Sequence, residues 1–213
     1  MYQPAHFRED RIEVQHALIR KHPLGLLIST GPDGLVANPV PFLLKPGETG
    51  RGVLQCHVAR ANPQWKSLTD APDCLVVFQG ADHYVTPSWY ETKRETGKVV
   101  PTWNYAIVQA WGRARIIDDT DWLRTQIEAL TTMHEGERAA PWAVDDAPEP
   151  FIAAQMRGIV GIEIPIDRIE GKWKVSQNRP AADRAGVVTG LEAEGLSGAG
   201  MATLVRERAQ GGA

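Results

Sequence analysis

The sequence predicts a mainly β fold with peripheral helices, arranged as an antiparallel barrel or sandwich. Short apolar runs recur at hairpin spacing and are separated by turns rich in Gly, Pro and Asp. The clearest helical period is confined to residues 120–134. With 213 residues, 43% of them hydrophobic and 23% charged, the chain can bury a sizeable core.

Capping residues and prolines divide the N-terminal half into elements. Asp10 and Glu13 have capping-box spacing, and Pro23 ends the helix that they begin. Asn62 and Pro63 predict a second helix start, with Asn at the N-cap and Pro in the first turn. The predicted elements are a helix over residues 10–21, a strand over 24–30, its hairpin partner over 35–44, a strand over 52–58, the helix from 62, and a strand over 74–78.

The C-terminal half is predicted to continue the sheet. Gly112 is expected to bend a long strand, Gly158 to end a short helix, and Glu170 with Gly171 to form a turn between the last two strands. The predicted elements are a loop over residues 84–90, a mobile polar turn over 91–98, a strand over 102–117, helices over 120–134 and 150–157, and strands over 159–164 and 169–175.

The tail beyond residue 180 is predicted to be helical. It is rich in Gly and Ala, and its last residues are expected to be loose. We therefore predict one domain over residues 1–191 and a helical or partly loose tail over residues 192–213.

Charge and hydropathy limit the partners. The net charge of −3 gives no overall attraction to nucleic acid or to an anionic membrane. The N-terminus lacks a signal pattern, and no apolar run approaches the length of a membrane span. Cys56 and Cys74 lie in strand-like contexts, where buried free thiols are usual. We expect a cytoplasmic protein that does not associate with membranes.

Two segments combine aromatic rings with hydrogen-bonding side chains. They are Val-Val-Pro-Thr-Trp-Asn-Tyr over residues 99–105 and Lys-Trp-Lys-Val-Ser-Gln-Asn-Arg over residues 172–179. Flat faces beside donors and fixed positive charge suit a planar, polar, anionic ligand such as flavin mononucleotide, FMN. Each Trp taken singly is more simply a core residue, but the two segments together favour a ligand site.

Basic residues at strand ends could hold a phosphate. Arg60 precedes the helix start at Asn62, so its guanidinium and free backbone N–H groups could bind one anion, although a lone strand-end arginine is usually solvated. Lys172 and Lys174 share one face of a strand and Trp173 lies on the other. An edge strand protected by lysines would show the same pattern.

The common catalytic and metal-binding motifs are absent from the sequence. The six histidines form no HExxH pattern and neither cysteine belongs to a CxxC pair, so no metal site is expected. No GxSxG, P-loop or GxGxxG motif occurs. Cys56 and His57 are neighbours whose side chains point to opposite faces of a strand, which argues against a catalytic pair. No catalytic residue is predicted.

Five ordered motifs resemble the PaiB family, which is described as FMN-binding negative transcriptional regulators. The motifs lie at residues 2–7, 57–65, 87–90, 100–105 and 171–179, and the resemblance extends from Met1 to about Leu191. It implies an FMN-binding split β-barrel of the pyridoxamine-phosphate-oxidase type, a six-stranded antiparallel Greek-key barrel that forms a homodimer. The flavin is then expected in a groove at the subunit interface.

The resemblance also implies roles for individual residues. Arg60 and Lys174 correspond to ligands of the FMN phosphate. The implied polar contacts are His57, Asn62, Thr102, Asn104, Ser176 and Gln177, and the implied aromatic walls or dimer anchors are Trp89, Trp103 and Trp173.

Three functions are compatible with these observations. The first is an FMN-binding negative regulator that responds to redox state or flavin, although direct DNA binding is doubtful because no helix-turn-helix or basic stripe is evident. The second is a flavin-dependent oxidoreductase. The third is a haem-binding or haem-degrading protein, for which His6 or His83 would be the axial candidate. Similarity of fold does not rank these functions, and whether the protein is an enzyme stays open.

Overall fold

The computed structural model describes residues 1–210, which form nine β-strands and seven α-helices. The strands are β1 (Arg8–Glu9), β2 (Leu24–Gly31), β3 (Gly34–Pro41), β4 (Leu43–Lys45), β5 (Val53–Ala59), β6 (Asp73–Val85), β7 (Thr102–Arg113), β8 (Arg115–Ile117) and β9 (Ile159–Lys174). The helices are α1 (Ile12–Lys21), α2 (Gln64–Asp70), α3 (Glu91–Thr96), α4 (Thr120–Glu135), α5 (Glu149–Arg157), α6 (Ala181–Ala193) and α7 (Leu196–Gln210).

The strands form one sheet in the order β3-β2-β6-β7-β9-β5-β4, and β1 and β8 also pair with β9. β2 pairs antiparallel with β3 and β6, and β5 pairs antiparallel with β4 and β9. The described residues therefore contain nine strands where six were predicted, while the predicted antiparallel class is confirmed. No helix in this part of the chain is long and apolar enough to cross a membrane.

Contacts divide the chain into two compact units. Unit 1 comprises Met1–Gln15, Gln79–Val108 and the described residues from Glu170 onward, and unit 2 comprises His16–Phe78 and Gln109–Ile169. α6 and α7 both belong to unit 1. The predicted domain boundary between residues 191 and 192 stays a prediction.

The core of unit 2 is built from alternate residues of its strands. Phe42 and Phe78 meet edge to face with ring centroids 5.6 Å apart, and a Cβ on Gly25 would lie 2.7 Å from the Phe78 ring. Cys56 and Cys74 are free and buried in this core, as predicted. Burial raises the pKa of both thiols, that of Cys74 to about 12, so neither is a reactive thiolate at neutral pH.

Several elements lie where the sequence predicted them, and others differ for identifiable reasons. α1, α4 and α5 confirm three of the predicted helices, and α5 ends at Gly158 as expected. The segment predicted as a mobile turn forms α3, which ends at Gly97 with a φ of 68°. The predicted hairpin partner over 35–44 is divided, because β3 ends at Pro41 and β4 pairs with β5. The tail forms α6 and α7, and its last three residues lie outside the described residues.

Three strands run differently from the prediction. β6 continues to Val85. The predicted strand over 102–117 is divided between Arg113 and Arg115, two residues beyond the expected bend. The two predicted C-terminal strands are one strand, β9, because Gly171 pairs with Glu9 of β1 instead of turning. The turn prediction at Glu170 and Gly171 is therefore wrong.

Glu9 is the centre of a buried ionic cluster in unit 1. Its side chain is 2% exposed and accepts hydrogen bonds from the backbone and guanidinium of Arg11, and from the Arg208 guanidinium of α7. Burial raises the pKa of Glu9, but these bonds outweigh it and lower the pKa to about 2. The cluster connects the first strand to the last helix of the described chain.

We predict that Glu9→Gln lowers the free energy of unfolding at pH 7 by roughly 2–3 kcal/mol, because charge-assisted hydrogen bonds to a buried carboxylate are lost. Since the pKa of Glu9 falls from 4.5 to about 2 on folding, its contribution is present above pH 4.5 and disappears as the pH falls towards 2. Urea titrations at pH 7 and pH 3 measure both effects. The exposed carboxylate Glu48 supplies the control, and equal stabilities of Glu9→Gln and Glu48→Gln would contradict the prediction.

Candidate functional site

The end of β9 and the start of β7 lie together in unit 1. Lys174, the last residue of β9, donates through its ammonium group to the Thr102 hydroxyl and to the backbone carbonyl of Trp103. Thr102 and Trp103 begin β7. The structure therefore brings together the two aromatic and polar segments that the sequence analysis singled out, although about 70 residues separate them in the chain.

A side-chain pair holds the turn that follows β9. Asn104 Nδ2 lies 2.9 Å from Ser176 Oγ, and both side chains are buried. Ser176 has a φ of 64°, a left-handed conformation that no other non-glycine residue adopts in the described chain. Gln177 braces the same turn, because its amide donates to the Trp173 carbonyl and accepts from the Val175 N–H. The turn is preorganised by hydrogen bonds from three polar side chains.

Three cations surround this turn, and we call them the cation trio: Lys172, Lys174 and Arg179. Arg179 lies over the Tyr90 ring at 4.5 Å, and Lys172 lies over the Tyr105 ring at 5.2 Å. Burial lowers the pKa of Lys174, and the positive charges of Lys172 and Arg179 lower it further. In residues 1–210 no carboxylate forms an ion pair with any of the three. Such uncompensated positive charge favours an anionic ligand.

Glu170 and Asp183 are the two acids that flank the cation trio in the chain, and both already have partners, since Glu170 pairs with the N-terminal ammonium of Met1. Asp183, in the first turn of α6, is fully buried. Its carboxylate accepts hydrogen bonds from the backbone N–H and the hydroxyl of Thr92. Both carboxylate oxygens therefore have partners that are not cations.

The three predicted aromatic residues have different environments. Trp103 is 54% exposed and meets Tyr84 edge to face at 6.1 Å. Trp89 lies against α6, where a Cβ on Gly190 would be 2.3 Å from its ring. Trp173 is buried, with the Arg208 guanidinium 5.4 Å from its ring. Among these three, Trp103 alone presents a largely open ring face.

Arg60 is engaged by its own chain in unit 2. Its guanidinium donates to both carboxylate oxygens of Asp118, at 2.9 and 2.6 Å, and its Nε and Nη2 groups donate to the backbone carbonyls of Arg157 and Ile159 at 3.0 Å. A guanidinium has five N–H donors, so four are already used. The hydrogen bonds and charge of Asp118 raise the pKa of Arg60, which stays protonated.

The other two predicted site residues of unit 2 also have partners. His57 Nδ1 lies 2.7 Å from Gln126 Oε1 of α4. Asn62 Oδ1 accepts from the Gln64 N–H at 3.0 Å, which is an Asx turn. The predicted Asn N-cap is wrong by one residue, because α2 begins at Gln64 and Pro63 precedes it. The Asn62 side chain nevertheless accepts from the N–H of Gln64, the first residue of α2, which is one of the donors that a helix start leaves unsatisfied.

Lys172, Arg179 and Tyr90 were not among the predicted site residues. Lys172 and Arg179 belong to the segment 172–179 that the sequence analysis singled out, so the available signal was their charge within that segment. Tyr90 carried no such signal, since only the fold brings its ring beneath Arg179. Within the described part of the chain no group of three or more His, Cys, Asp or Glu side chains is placed to hold a metal ion.

Comparison with known sequences identifies the family. Residues 1–168 match the family model described as "Putative FMN-binding domain". An uncharacterized protein of Emericella nidulans is 40% identical, over 99% of this chain and 98% of that protein. The protease synthase and sporulation protein PAI 2 of Bacillus subtilis is 28% identical, over 91% of this chain and 90% of that protein.

Solved structures support the fold class. The flavocytochrome Anf3 of Azotobacter vinelandii superposes with a TM-score of 0.57 and 15% identity, over 78% of this chain and 69% of that one. The FAD and haem binding protein of Mycobacterium smegmatis gives a TM-score of 0.56 and 18% identity, over 78% and 71% of the two chains. Likeness at these identities shows the fold alone, and that fold is the predicted split barrel. The chain therefore belongs to the PaiB family of FMN-binding domains.

Proposed function

We propose that the protein binds FMN in unit 1, with the phosphate held beside Lys174 at the Ser176 turn, and that it acts as a flavin- or redox-responsive negative regulator in the cytoplasm. The observation that carries the proposal is the cation trio, which lies around a preorganised turn without an acidic partner in the described residues. The family match supports FMN as the anion.

Each residue has a defined part in this proposal. Two of the three N–H groups of the Lys174 ammonium are used by Thr102 and Trp103, which leaves one for a phosphate oxygen. Because the Thr102 hydroxyl accepts from Lys174, its own proton is free to donate to the same anion. The exposed Trp103 ring offers a flat face for the isoalloxazine. When bound, the flavin supplies redox chemistry.

Arg60 remains a predicted second phosphate ligand. It would reach a phosphate only after its ion pair with Asp118 opens, because four of its five donors are used. A smaller contribution than that of Lys174 is therefore expected. His57, Asn62, Asn104, Ser176 and Gln177 likewise remain proposed contacts, and the internal bonds of the last three give them the role of shaping the turn.

We predict that Lys174→Met weakens FMN binding about ten- to a hundredfold, because a charge-assisted hydrogen bond to phosphate is lost. Riboflavin, which lacks the phosphate, should bind wild type and Lys174→Met equally. The FMN affinity of the wild type should fall as rising pH deprotonates Lys174. Because the pKa of Lys174 is lowered, this fall should come at a lower pH than for an ordinary lysine. Flavin-fluorescence titration from pH 7 to pH 10 measures each of these effects.

Lys98→Met is the matched control, because Lys98 is an exposed lysine of unit 1 outside the turn. Arg60→Ala is expected to weaken FMN binding less than Lys174→Met does. Equal affinities for FMN and riboflavin in the wild type would refute the phosphate assignment.

The haem alternative has less support from the site. His83 was one of two axial candidates, but its Nδ1 lies 2.7 Å from the Tyr84 carbonyl and its Nε2 lies 3.2 Å from a Glu194 carboxylate oxygen. Both ring nitrogens are therefore occupied, while His6 is exposed beside Phe7. A visible absorption spectrum with added haemin distinguishes this alternative, since a Soret shift would favour it. A flavin-dependent oxidoreductase stays the second alternative, without a catalytic residue to assign.

The proposed homodimer has a suitable surface in unit 2. The outer faces of β2 and β3 carry Leu24, which is 63% exposed, and Leu35, which is 82% exposed. Leu26 lies between them on β2, opposite Pro39 of β3 and Val77 of β6. Leu24 and Leu35 stand at opposite ends of this face, since Leu24 pairs with Pro41 and Leu35 pairs with Thr30. Exposed aliphatic side chains spread along one face of a sheet mark association surfaces. We propose that two copies associate through this face.

We predict a dimer at micromolar concentration by sedimentation equilibrium, and a monomer for the double variant Leu24→Lys, Leu35→Lys, because charges would be buried in the interface. Leu196→Lys is the control, since Leu196 is 97% exposed at the start of α7. Trp103→Ala and Trp89→Ala test whether these two rings are dimer anchors, because removal of an anchor should shift the equilibrium towards the monomer. A wild-type monomer would contradict the prediction.

We predict that the isolated protein binds DNA weakly and loses it at moderate salt, since its net charge is −3 and Lys172 of the cation trio is buried. Filter binding between about 50 and 300 mM salt measures the salt dependence of the affinity for DNA. A footprint of defined sequence at physiological ionic strength would contradict weak binding and restore the hypothesis of a direct repressor.

A further inference from the structure

The sheet register places polar side chains on one outer face of unit 2. Gln55 and His57 are half-buried residues on the face of β5 opposite to its buried core residues. Lys45 of β4 lies opposite Val53 in register and so shares this face. α4 covers part of it, with Trp122 so close to Gly161 that a Cβ there would be 2.4 Å from the ring.

A groove remains between α4 and this face. Its volume is about 390 Å³, which is within the usual range of small-ligand sites. Its lining residues, all in unit 2, are Lys45, Gln55, Asp121, Trp122, Thr125 and Gln126.

Gln126 gives the groove an unused hydrogen-bond donor. Its side chain is 1% exposed, and its Oε1 is paired with His57 Nδ1 at 2.7 Å. Its Nε2 is buried and has no partner among the described residues. Buried polar groups are nearly always hydrogen-bonded, so this amide is suited to an acceptor that comes from outside the chain.

Lys45 adds an uncompensated charge to the same groove. Lys45 is a half-buried residue, and it forms no ion pair in the described part of the chain. Glu163 is occupied by the Gln55 amide at 2.9 Å and by Arg115 at 3.7 Å. Asp121 is exposed in the first turn of α4, where solvent screens its charge.

We infer that this groove binds a small aromatic carboxylate, whose negative oxygens are held by Lys45 and the Gln126 amide and whose ring lies against Trp122. A carboxylate supplies both the acceptor that Gln126 lacks and the charge that Lys45 lacks. The Thr125 hydroxyl, which donates to the Asp121 carbonyl at 2.9 Å, can accept but offers no further proton. The inference goes beyond the proposed function, because it requires no flavin.

Benzoate is the probe, titrated by calorimetry into the full chain. Wild type is expected to bind it at millimolar or lower concentration, and to bind benzamide, which lacks the charge, at least about tenfold more weakly. Lys45→Met and Gln126→Leu should each weaken benzoate binding by about tenfold or more. Lys21→Met, which removes the same charge from exposed Lys21 of α1, should not change it.

Thermal unfolding separates binding from a structural role. Gln126→Leu removes a buried unpaired donor but also the Oε1 partner of His57, and since these two effects oppose each other its Tm is expected to stay close to that of wild type while benzoate binding is lost. If Gln126→Leu unfolds, Lys45→Met decides the matter, since Lys45 lies at a partly exposed position. Absence of saturable benzoate binding by wild type, or equal binding by wild type and Lys45→Met, overturns the inference.

FMN titrations keep this site apart from the proposed flavin site. Lys45→Met should bind FMN as wild type does, and Lys174→Met should bind benzoate as wild type does. Competition between benzoate and FMN would show that the groove belongs to the flavin site, and would overturn the inference of a separate one.

Discussion

The conformation of Ser176 is the constraint on which the candidate site depends. A left-handed φ of 64° is unfavourable for a serine, and it persists because Asn104 and Gln177 hold the turn from both sides. The turn ends β9 at Lys174 and directs the chain towards Arg179 and α6. The positive charges therefore stand at fixed positions before any ligand arrives, which reduces the ordering cost of binding.

Counter-charges distinguish the two basic residues that the family resemblance implied as phosphate ligands. Arg60 has a bidentate carboxylate partner and two backbone carbonyls, so its charge is already satisfied. Lys174 donates only to a hydroxyl and a carbonyl, and it is repelled by Lys172 and Arg179. Because like charges without an acid raise the local potential, Lys174 is the better candidate for an anion ligand.

A similar distinction applies to buried amides. The Gln64 amide, buried in unit 2, donates to the Leu27 carbonyl and the Ser29 hydroxyl and accepts from Asn38, so it is a structural group. The Gln126 amide has only its oxygen occupied. Both side chains are buried to the same degree, and the difference in satisfied hydrogen bonds separates a structural amide from a candidate binding group.

Local patterns and the order of motifs were enough to predict the antiparallel β class, the helices α1, α4 and α5, the family, and the two segments that meet at the site. The continuity of β9, in contrast, follows from folding, which pairs Gly171 with the distant Glu9 so that the chain does not turn there. Folding also decided which cations lack a partner, because Asp118 reaches Arg60 from 58 residues away. Long-range pairing of this kind leaves no local signal in the sequence. The residue types therefore indicated an anion-binding site, while packing decided which of the basic side chains have no acidic partner.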